Sequence, residues 1–249
     1  MMESPGQKTL LRRDGFTFKY FFAAHDRCAM KVGTDGVLLG AWTPLCPVPR
    51  RILDIGTGCG LIALMLAQRT GEGTAIDALE LDGAAAAQAG ENCARSPWAA
   101  RLRVINDNIL TYALTSTERY ELIVSNPPYF PVGIPCRDTS RDRARSTGTL
   151  THEHLLDAAR RLLAPEGLFM LVLPLDIGEG FIRLARRQRW QVRYRTEVAD
   201  NPGKPPHRIL LGLSTAAGAS CCSAFTLRDE NRAYSAAYRD LTRDFYLGL

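Results

Sequence analysis

The chain has 249 residues, 46% of them hydrophobic and 23% charged, with a formal net charge of +5 and seven cysteines. That length buries one large core, and the most apolar run, Leu168–Leu175, is too short to span a bilayer and is broken by Pro174. Met1-Met2-Glu3-Ser4-Pro5 lacks the apolar centre of a secretory signal, and an odd cysteine count without a C-x-x-C pair fits a reducing cytoplasm.

In chain order, residues 1–14 read as a loose tail and 15–249 as a single domain. Residues 15–50 are an aromatic-rich extension ending in Pro47-Val48-Pro49. From there apolar strand-like runs alternate with helical spacing. Strands are predicted at 51–55, 74–80, 102–106 and 121–125, with helices near 60–69 and 83–94. A helix at 150–163 precedes Pro165-Glu166-Gly167 and a strand at 168–173. A helix at 179–188 leads to strands near 190–198 and 207–213, with a further one at 223–228. Such βα alternation predicts an α/β fold with a mostly parallel sheet covered on both faces.

Two segments carry chemistry. The strand Arg51-Ile52-Leu53-Asp54-Ile55 runs straight into Gly56-Thr57-Gly58-Cys59-Gly60 and then an apolar helix. Strand, glycine turn and helix present backbone N–H groups and a helix N-terminus to a ligand. The spacing is GxGxG, not the GxGxxG of nicotinamide dehydrogenases. Glu80 closes the next strand, roughly 20 residues on, where a carboxylate reaches ribose hydroxyls. The second segment, Asn126-Pro127-Pro128-Tyr129, follows the strand Tyr120–Ser125. Proline cannot donate to a ladder and fixes its own φ, so the strand stops there in a stiff loop. An amide side chain, an acceptor-only backbone and a flat aromatic suit the grip of a planar NH2 group. Open α/β sheets place ligands at this edge.

The motifs Asp54-Ile-Gly-Thr-Gly-Cys-Gly60 and Asn126-Pro-Pro-Tyr129 resemble those of Rossmann-like, S-adenosylmethionine-dependent amino-methyltransferases. Phe16 to Trp42, with its Lys31-Val-Gly-Thr-Asp-Gly36 stretch, and Pro202-Gly-Lys-Pro-Pro-His-Arg208 resemble the bacterial valine-tRNA N6-adenine methyltransferases, which modify anticodon-loop position 37. The resemblance runs from about Gly15 to the C-terminus. It implies a Rossmann-like class I methyltransferase with a mostly parallel seven-stranded sheet, a reversed last strand, and the 15–50 extension on the cofactor edge. Asp54 and the backbone of Gly56, Thr57, Gly58 and Gly60 would lie under the methionine moiety of S-adenosylmethionine, and Glu80 would take the ribose. Thr34 and Asp35 would close over the methionine end. For the cofactor adenine, alignment favours Asn108 and charge favours Asp107, so both stand. Asn126 and the Pro127 carbonyl would accept from the two N6 hydrogens of the target adenine, with Pro128 stiffening the loop and Tyr129 stacking on the base.

Several residues have a plain reading beside the functional one. Arg137, Arg141, Arg143 and Arg145 crowd the segment after Tyr129, and Arg183, Arg186, Arg187, Arg189, Arg193 and Arg195 surround Trp190 and Tyr194. Basic runs with interleaved aromatics suit a polyanion, here the tRNA anticodon stem-loop; otherwise they are solvated faces. Lys204 and Arg208 stand on the expected substrate side. Thr34 or Asp35 could equally cap a helix. His25 is a core histidine or a substrate contact, and His152 and His154 are not spaced for a metal, so none is expected. No membrane partner is expected, and a monomer is favoured. The nearest rival is a glutamine-N5 methyltransferase of translation release factors, which carries a larger domain ahead of its glycine motif than the roughly 50 residues here. An RNA-binding module without activity is the other.

Overall fold

The computed structural model describes residues 14–128 and 150–248, so nearly all of the expected tail falls outside the described residues. In order the elements are β1 (Gly15–Thr17), β2 (Phe22–Ala24), α1 (Thr34–Trp42), β3 (Arg51–Ile55), α2 (Leu61–Arg69), β4 (Ala75–Glu80), α3 (Gly83–Ala94), β5 (Leu102–Asn106), α4 (Ile109–Thr115), β6 (Tyr120–Ser125), α5 (His152–Leu162), β7 (Leu163–Pro174), α6 (Leu175–Arg187), β8 (Gln191–Ala199), β9 (Arg208–Ser214), β10 (Cys221–Thr226) and α7 (Ala236–Thr242). β1 and β2 pair as a small hairpin; the other eight strands form one sheet in the order β10-β8-β9-β7-β6-β3-β4-β5.

The sheet is parallel except at β9, which runs against both β7 and β8. Among the described residues the sheet has eight strands, not the expected seven. The eighth, β10, adds to the outside of β8 in parallel. It contributes little burial, since Cys221 to Ala224 are exposed, and so it lacks the apolar rows that mark the inner strands. β7 also begins at Leu163, five residues early. Pro165-Glu166-Gly167 sits inside it as an irregularity between the pairs Tyr120–Leu163 and Leu122–Leu168.

Alternate residues of the strands feed two cores, as the two-residue period of a strand requires. Leu53, Ile123, Phe169, Leu171 and Leu211 pack with α4, α5 and α6 on one face. Ile52, Ile76, Leu122, Met170 and Leu210 pack with α1 and α2 on the other. α2 is buried from Leu61 through Ala67 because α1 crosses it closely. A Cβ added at Gly40 would stand 2.8 Å from the Met65 sulfur, so only a side-chain-free residue admits the contact. Phe18, Phe21 and Phe245 then seal the outer side of α2 against the N-terminal segment.

Register decides what meets at the C-terminal edge of the sheet. Ile55 pairs with both Leu79 and Ser125. Glu80 pairs with Asn106 one step beyond. The residues that follow β6, β3 and β5 (Asn126, Gly56 and Asp107) therefore leave the same edge of the sheet, with Glu80 ending β4 between the last two. Among the described residues no helix is long and apolar enough to cross a membrane.

Candidate active site at the sheet edge

The turn after β3 is pinned by its own backbone. The N–H groups of Gly56 and Thr57 both donate to the Leu79 carbonyl, at 2.9 and 3.1 Å. Gly56, Gly58 and Gly60 have φ of 70°, 56° and 84°, a region that L side chains rarely adopt. The space around them differs. A Cβ at Gly56 or Gly58 would meet nothing within 4 Å, whereas one at Gly60 would lie 3.5 Å from the Ala89 side chain. Gly60 packs the turn against α3, and the first two glycines face open room.

Asp54 sits beneath this turn with 0% exposure. Its Oδ2 accepts from the Thr57 hydroxyl at 2.6 Å and from the Ala63 N–H at 3.2 Å. Its Oδ1 is buried without a partner. Burial pushes the carboxyl up to about 7, with the Glu80 charge adding to the rise and the bonds from Thr57 and Ala63 opposing it. An orphaned acceptor beneath open glycines is a place prepared for a polar, cationic group. Glu80 is drawn under the same turn: its Oε2 accepts from the Gly58 N–H at 2.8 Å and its Oε1 from the Asp82 N–H at 3.0 Å. Each oxygen keeps a lone pair for a hydroxyl donor.

At the end of β5, Asp107 donates its N–H to the Glu80 carbonyl at 3.1 Å. Its Oδ1 accepts from the Asn108 N–H at 2.7 Å. Asn108 caps α4, its side-chain oxygen accepting from Leu110 N–H at 2.9 Å. The two candidates thus differ in what they can still offer: the Asn108 oxygen keeps one lone pair beside its cap bond, while the Asp107 carboxylate has a second oxygen.

Asn126 is half-buried at the tip of β6, Pro127 buried and Pro128 exposed. The Ser125 hydroxyl donates to the Ile55 carbonyl at 2.9 Å and locks this tip to the start of the glycine turn. Tyr129 and the arginines at 137, 141, 143 and 145 lie outside the described residues.

The N-terminal segment reaches the same edge through α3, by two residues that the sequence did not single out. Asn92 accepts from the Ala24 N–H at 3.1 Å and donates to the carbonyls of Ala24 and Cys59, both at 2.8 Å. One amide therefore joins β2 to the glycine turn. Gln88, one helical turn away, accepts from the Arg27 N–H at 3.1 Å and donates to Asp26 at 2.6 Å. The available signal was two amides at i and i+4 in an alanine-rich helix, which share one face. His25 holds the following loop, its Nδ1 accepting from the Val32 N–H at 3.2 Å. Burial, then the nearby Lys31, lowers its pKa and keeps that nitrogen free to accept.

α1 is capped by Gly33, with no side-chain bond, so Thr34 and Asp35 begin the helix and do not cap it. Asp35 is ion-paired with Arg208. The Arg208 Nη1 lies 3.7 Å from Asp200, so this arginine ties α1 to the loop between β8 and β9. Lys204 in that loop is exposed. His152 is half-buried with its ring 5.1 Å from that of Phe181, and among the described residues no group of three or more metal-ligating side chains converges. Trp190 is a correction: at 1% exposure it belongs to the core and offers no stacking surface. Tyr194 turns its ring against Trp42.

A doubly covered parallel sheet with one reversed strand, a glycine turn over a buried acid and a second acid on the adjoining strand define a Rossmann-like methyltransferase. The fold matches a crystal structure described as a predicted O-methyltransferase from Agrobacterium tumefaciens, with a TM-score of 0.66 at 18% identity over 85% of this chain and 96% of that one. The Methyltransferase small domain model matches residues 38–178. A protein of Pectobacterium carotovorum subsp. carotovorum named tRNA1(Val) (adenine(37)-N6)-methyltransferase is 54% identical over 247 residues, 99% of each chain. One of the same name from Cronobacter sakazakii is 55% identical over 240 residues, 96% of this chain and 98% of its own. The chain belongs to this methyltransferase family.

Proposed function

We propose that this protein transfers the methyl group of S-adenosylmethionine to the N6 amine of adenine 37 in the anticodon loop of valine tRNA. The observation that carries the reading is the register that sets Asn126-Pro127 beside Gly56, at the start of the glycine turn that bonds back to the buried Asp54. The substrate follows the names of relatives that match over nearly the whole chain. A tRNA substrate supports a cytoplasmic reaction.

The residues fit the cofactor. Asp54 and the backbone of Gly56, Thr57, Gly58 and Gly60 hold the methionine end, with Thr34 and Asp35 closing from α1. Glu80 takes the ribose hydroxyls. Asp107 accepts from the adenine amine, because its carboxylate has a second oxygen beside the one bonded to the Asn108 N–H. Bound there, S-adenosylmethionine supplies a methyl group on a sulfonium that leaves as a neutral thioether.

The remaining difficulty is the nucleophile, whose lone pair is delocalised into the purine ring. The Asn126 side-chain oxygen and the Pro127 carbonyl accept from the two N6 hydrogens, which favours a pyramidal nitrogen with its lone pair aimed at the methyl. Pro127 and Pro128 have no N–H to compete, and they hold the acceptors stiffly. Alignment of this kind is worth up to ~7–11 kcal/mol in the best intramolecular cases. Tyr129 stacks on the extruded base, worth roughly 1–3 kcal/mol. An anticodon-loop base costs less to extrude than a paired one.

The test is transfer of labelled methyl to unmodified valine tRNA, with the product located by nuclease mapping. Label appearing on another base, or on a protein glutamine with none in tRNA, would overturn the reading.

A further inference from the structure

From residue 180 to residue 196 there is no acidic residue and there are six arginines. The structure divides them. Arg195 is spent between Glu179 at 2.6 Å and Glu197 at 2.5 Å. Arg193 donates to the Ala219 carbonyl at 3.0 Å and lies against Gly218. Arg183, Arg186, Arg187 and Arg189 are exposed, whereas Arg161, in the last turn of α5, is exposed in a groove with Leu110, Leu114 and Asp157. The ends of α5 and α6 are joined by Arg160, which donates to the Gln188 carbonyl and covers the Trp190 ring at 4.9 Å.

This surface lies on the far side of the sheet from the catalytic loop. α5 and α6 each end where a parallel strand begins, so their C-termini stand at the N-terminal edge. The 13 residues of α6 separate it from the glycine and Asn126 turns by about 20 Å at ~1.5 Å per residue. Glu153 and Asp157 on α5 and Asp176 on α6 interrupt the path between, so the basic surface is separate from the catalytic edge.

Cations in a last helical turn also complement the helix dipole, and Arg186 and Arg187 serve that purpose wherever they point. Arg189 does not fit that account. It follows the C-cap Gln188 with φ of 62°. Its N–H donates to the Arg186 carbonyl and the Trp190 N–H to the Ala185 carbonyl, both at 2.9 Å. This is a Schellman ending, whose left-handed position is ordinarily glycine. The chain holds an arginine there against the backbone's preference, and observed strain of this sort points to a use for the side chain.

We propose that Arg183, Arg186, Arg187 and Arg189 bind the phosphate backbone of an RNA duplex, engaging a stretch of stem that a short anticodon hairpin lacks, remote from the methylated base. The proposal rests on the tRNA reading above and names a second attachment for the same substrate. Phosphate contacts of this kind position an RNA without reading its sequence.

The experiment compares binding of full-length valine tRNA and of a short anticodon hairpin across a salt series. Its variants are the triple Arg183→Gln/Arg186→Gln/Arg187→Gln and the single Arg189→Gly. The triple variant is expected to bind full-length tRNA on the order of tenfold more weakly, with a salt slope smaller by about three, and to bind the hairpin as wild type does. Arg189→Gly should melt higher and yet bind full-length tRNA more weakly, a pairing that a purely structural arginine would not give. Unchanged tRNA affinity and salt slope in the triple variant would overturn the proposal. So would an equal loss on the hairpin, or Arg189→Gly gaining stability at wild-type affinity. Methyl transfer by the wild type, measured alongside, decides the catalytic reading separately, because tRNA binding alone decides this one.

Discussion

Replacing Gly58 by alanine separates the cost of a backbone conformation from the cost of filling a ligand's space. At φ 56° the alanine must sit in the left-handed region, at a cost of about 1–2 kcal/mol. Nothing lies within 4 Å of the new methyl, so packing adds nothing further in the free protein. For a chain of 249 residues this corresponds to a melting point lower by roughly 2–8 °C. Gly60→Ala carries the same backbone cost at φ 84°, and its methyl makes ordinary contacts of 3.5 and 3.6 Å with Ala89 and Cys93. The two variants should therefore melt within a few degrees of each other. They should part on cofactor binding. If the methionine end lies over Gly58, the methyl intrudes on it, and overpacking of about 1–3 kcal/mol weakens binding by about 5- to 150-fold. Gly60→Ala, turned toward α3, should lose much less. Calorimetric titration with S-adenosylhomocysteine, with thermal melts on the same samples, measures both quantities. Wild-type affinity in Gly58→Ala, or equal losses in the two variants, would refute the placement of the ligand.

Asn126→Ala should lower kcat on the order of a hundredfold or more while leaving the melting point and cofactor affinity near wild type, as single-turnover methylation and melts will show. Asp77 is 5% exposed and receives Arg103 through two bonds of 2.8 Å and the Tyr120 hydroxyl at 2.6 Å. Burial pushes its carboxyl up, but those bonds and the Arg103 and Arg51 charges outweigh it and hold the pKa below the ordinary value. Its stabilising contribution is thus present above about pH 4 and lost as the pH falls further, and Asp77→Asn should flatten that acid limb in denaturant melts. Asp35→Asn and Arg208→Gln should each weaken the attachment of α1 to the β8–β9 loop; a double-mutant cycle on KM for the cofactor should show the two losses non-additive.

Much of the fold was legible because its strands are buried runs bounded by glycine or proline. β3, β5 and the final turns of α2 and α3 fall where apolar spacing sets them. The hairpin of β1 and β2 was not legible, since three-residue strands leave no period to read. α1 was legible only as a helix that Thr34 or Asp35 could cap: Gly36 and Gly40 weaken its helical signal, and both stand in close approach to α2. Of the site, Gly56–Gly60, Glu80 and Asn126 could be read from sequence because local backbone chemistry places them. Asn92 and Gln88 could not, because what they do depends on a segment more than 60 residues distant in sequence, and nothing near them indicates it. The aromatic members of the second arginine cluster misled because periodicity does not show that the turn after α6 folds Trp190 into the core ahead of β8.

Asp54 and Asp77 are both buried aspartates on neighbouring strands, yet their carboxyls move in opposite directions. Asp54 is the deeper of the two, and the partners widen the difference. Asp77 is satisfied by two arginines and a tyrosine, whereas Asp54 has hydroxyl and amide donors on one oxygen and none on the other. With a folded value of about 7 against roughly 3.9 unfolded, protonated Asp54 stabilises the free protein below about pH 4, and that contribution is gone above about pH 7. A cationic ligand beside the free oxygen reverses the balance by favouring the carboxylate. Cofactor binding near neutral pH should therefore release a proton from Asp54. Calorimetric binding enthalpies should then vary with the ionisation enthalpy of the buffer, and Asp54→Asn should abolish that dependence. An enthalpy that is the same in phosphate and in Tris for the wild-type protein would show that Asp54 is already ionised before the ligand arrives.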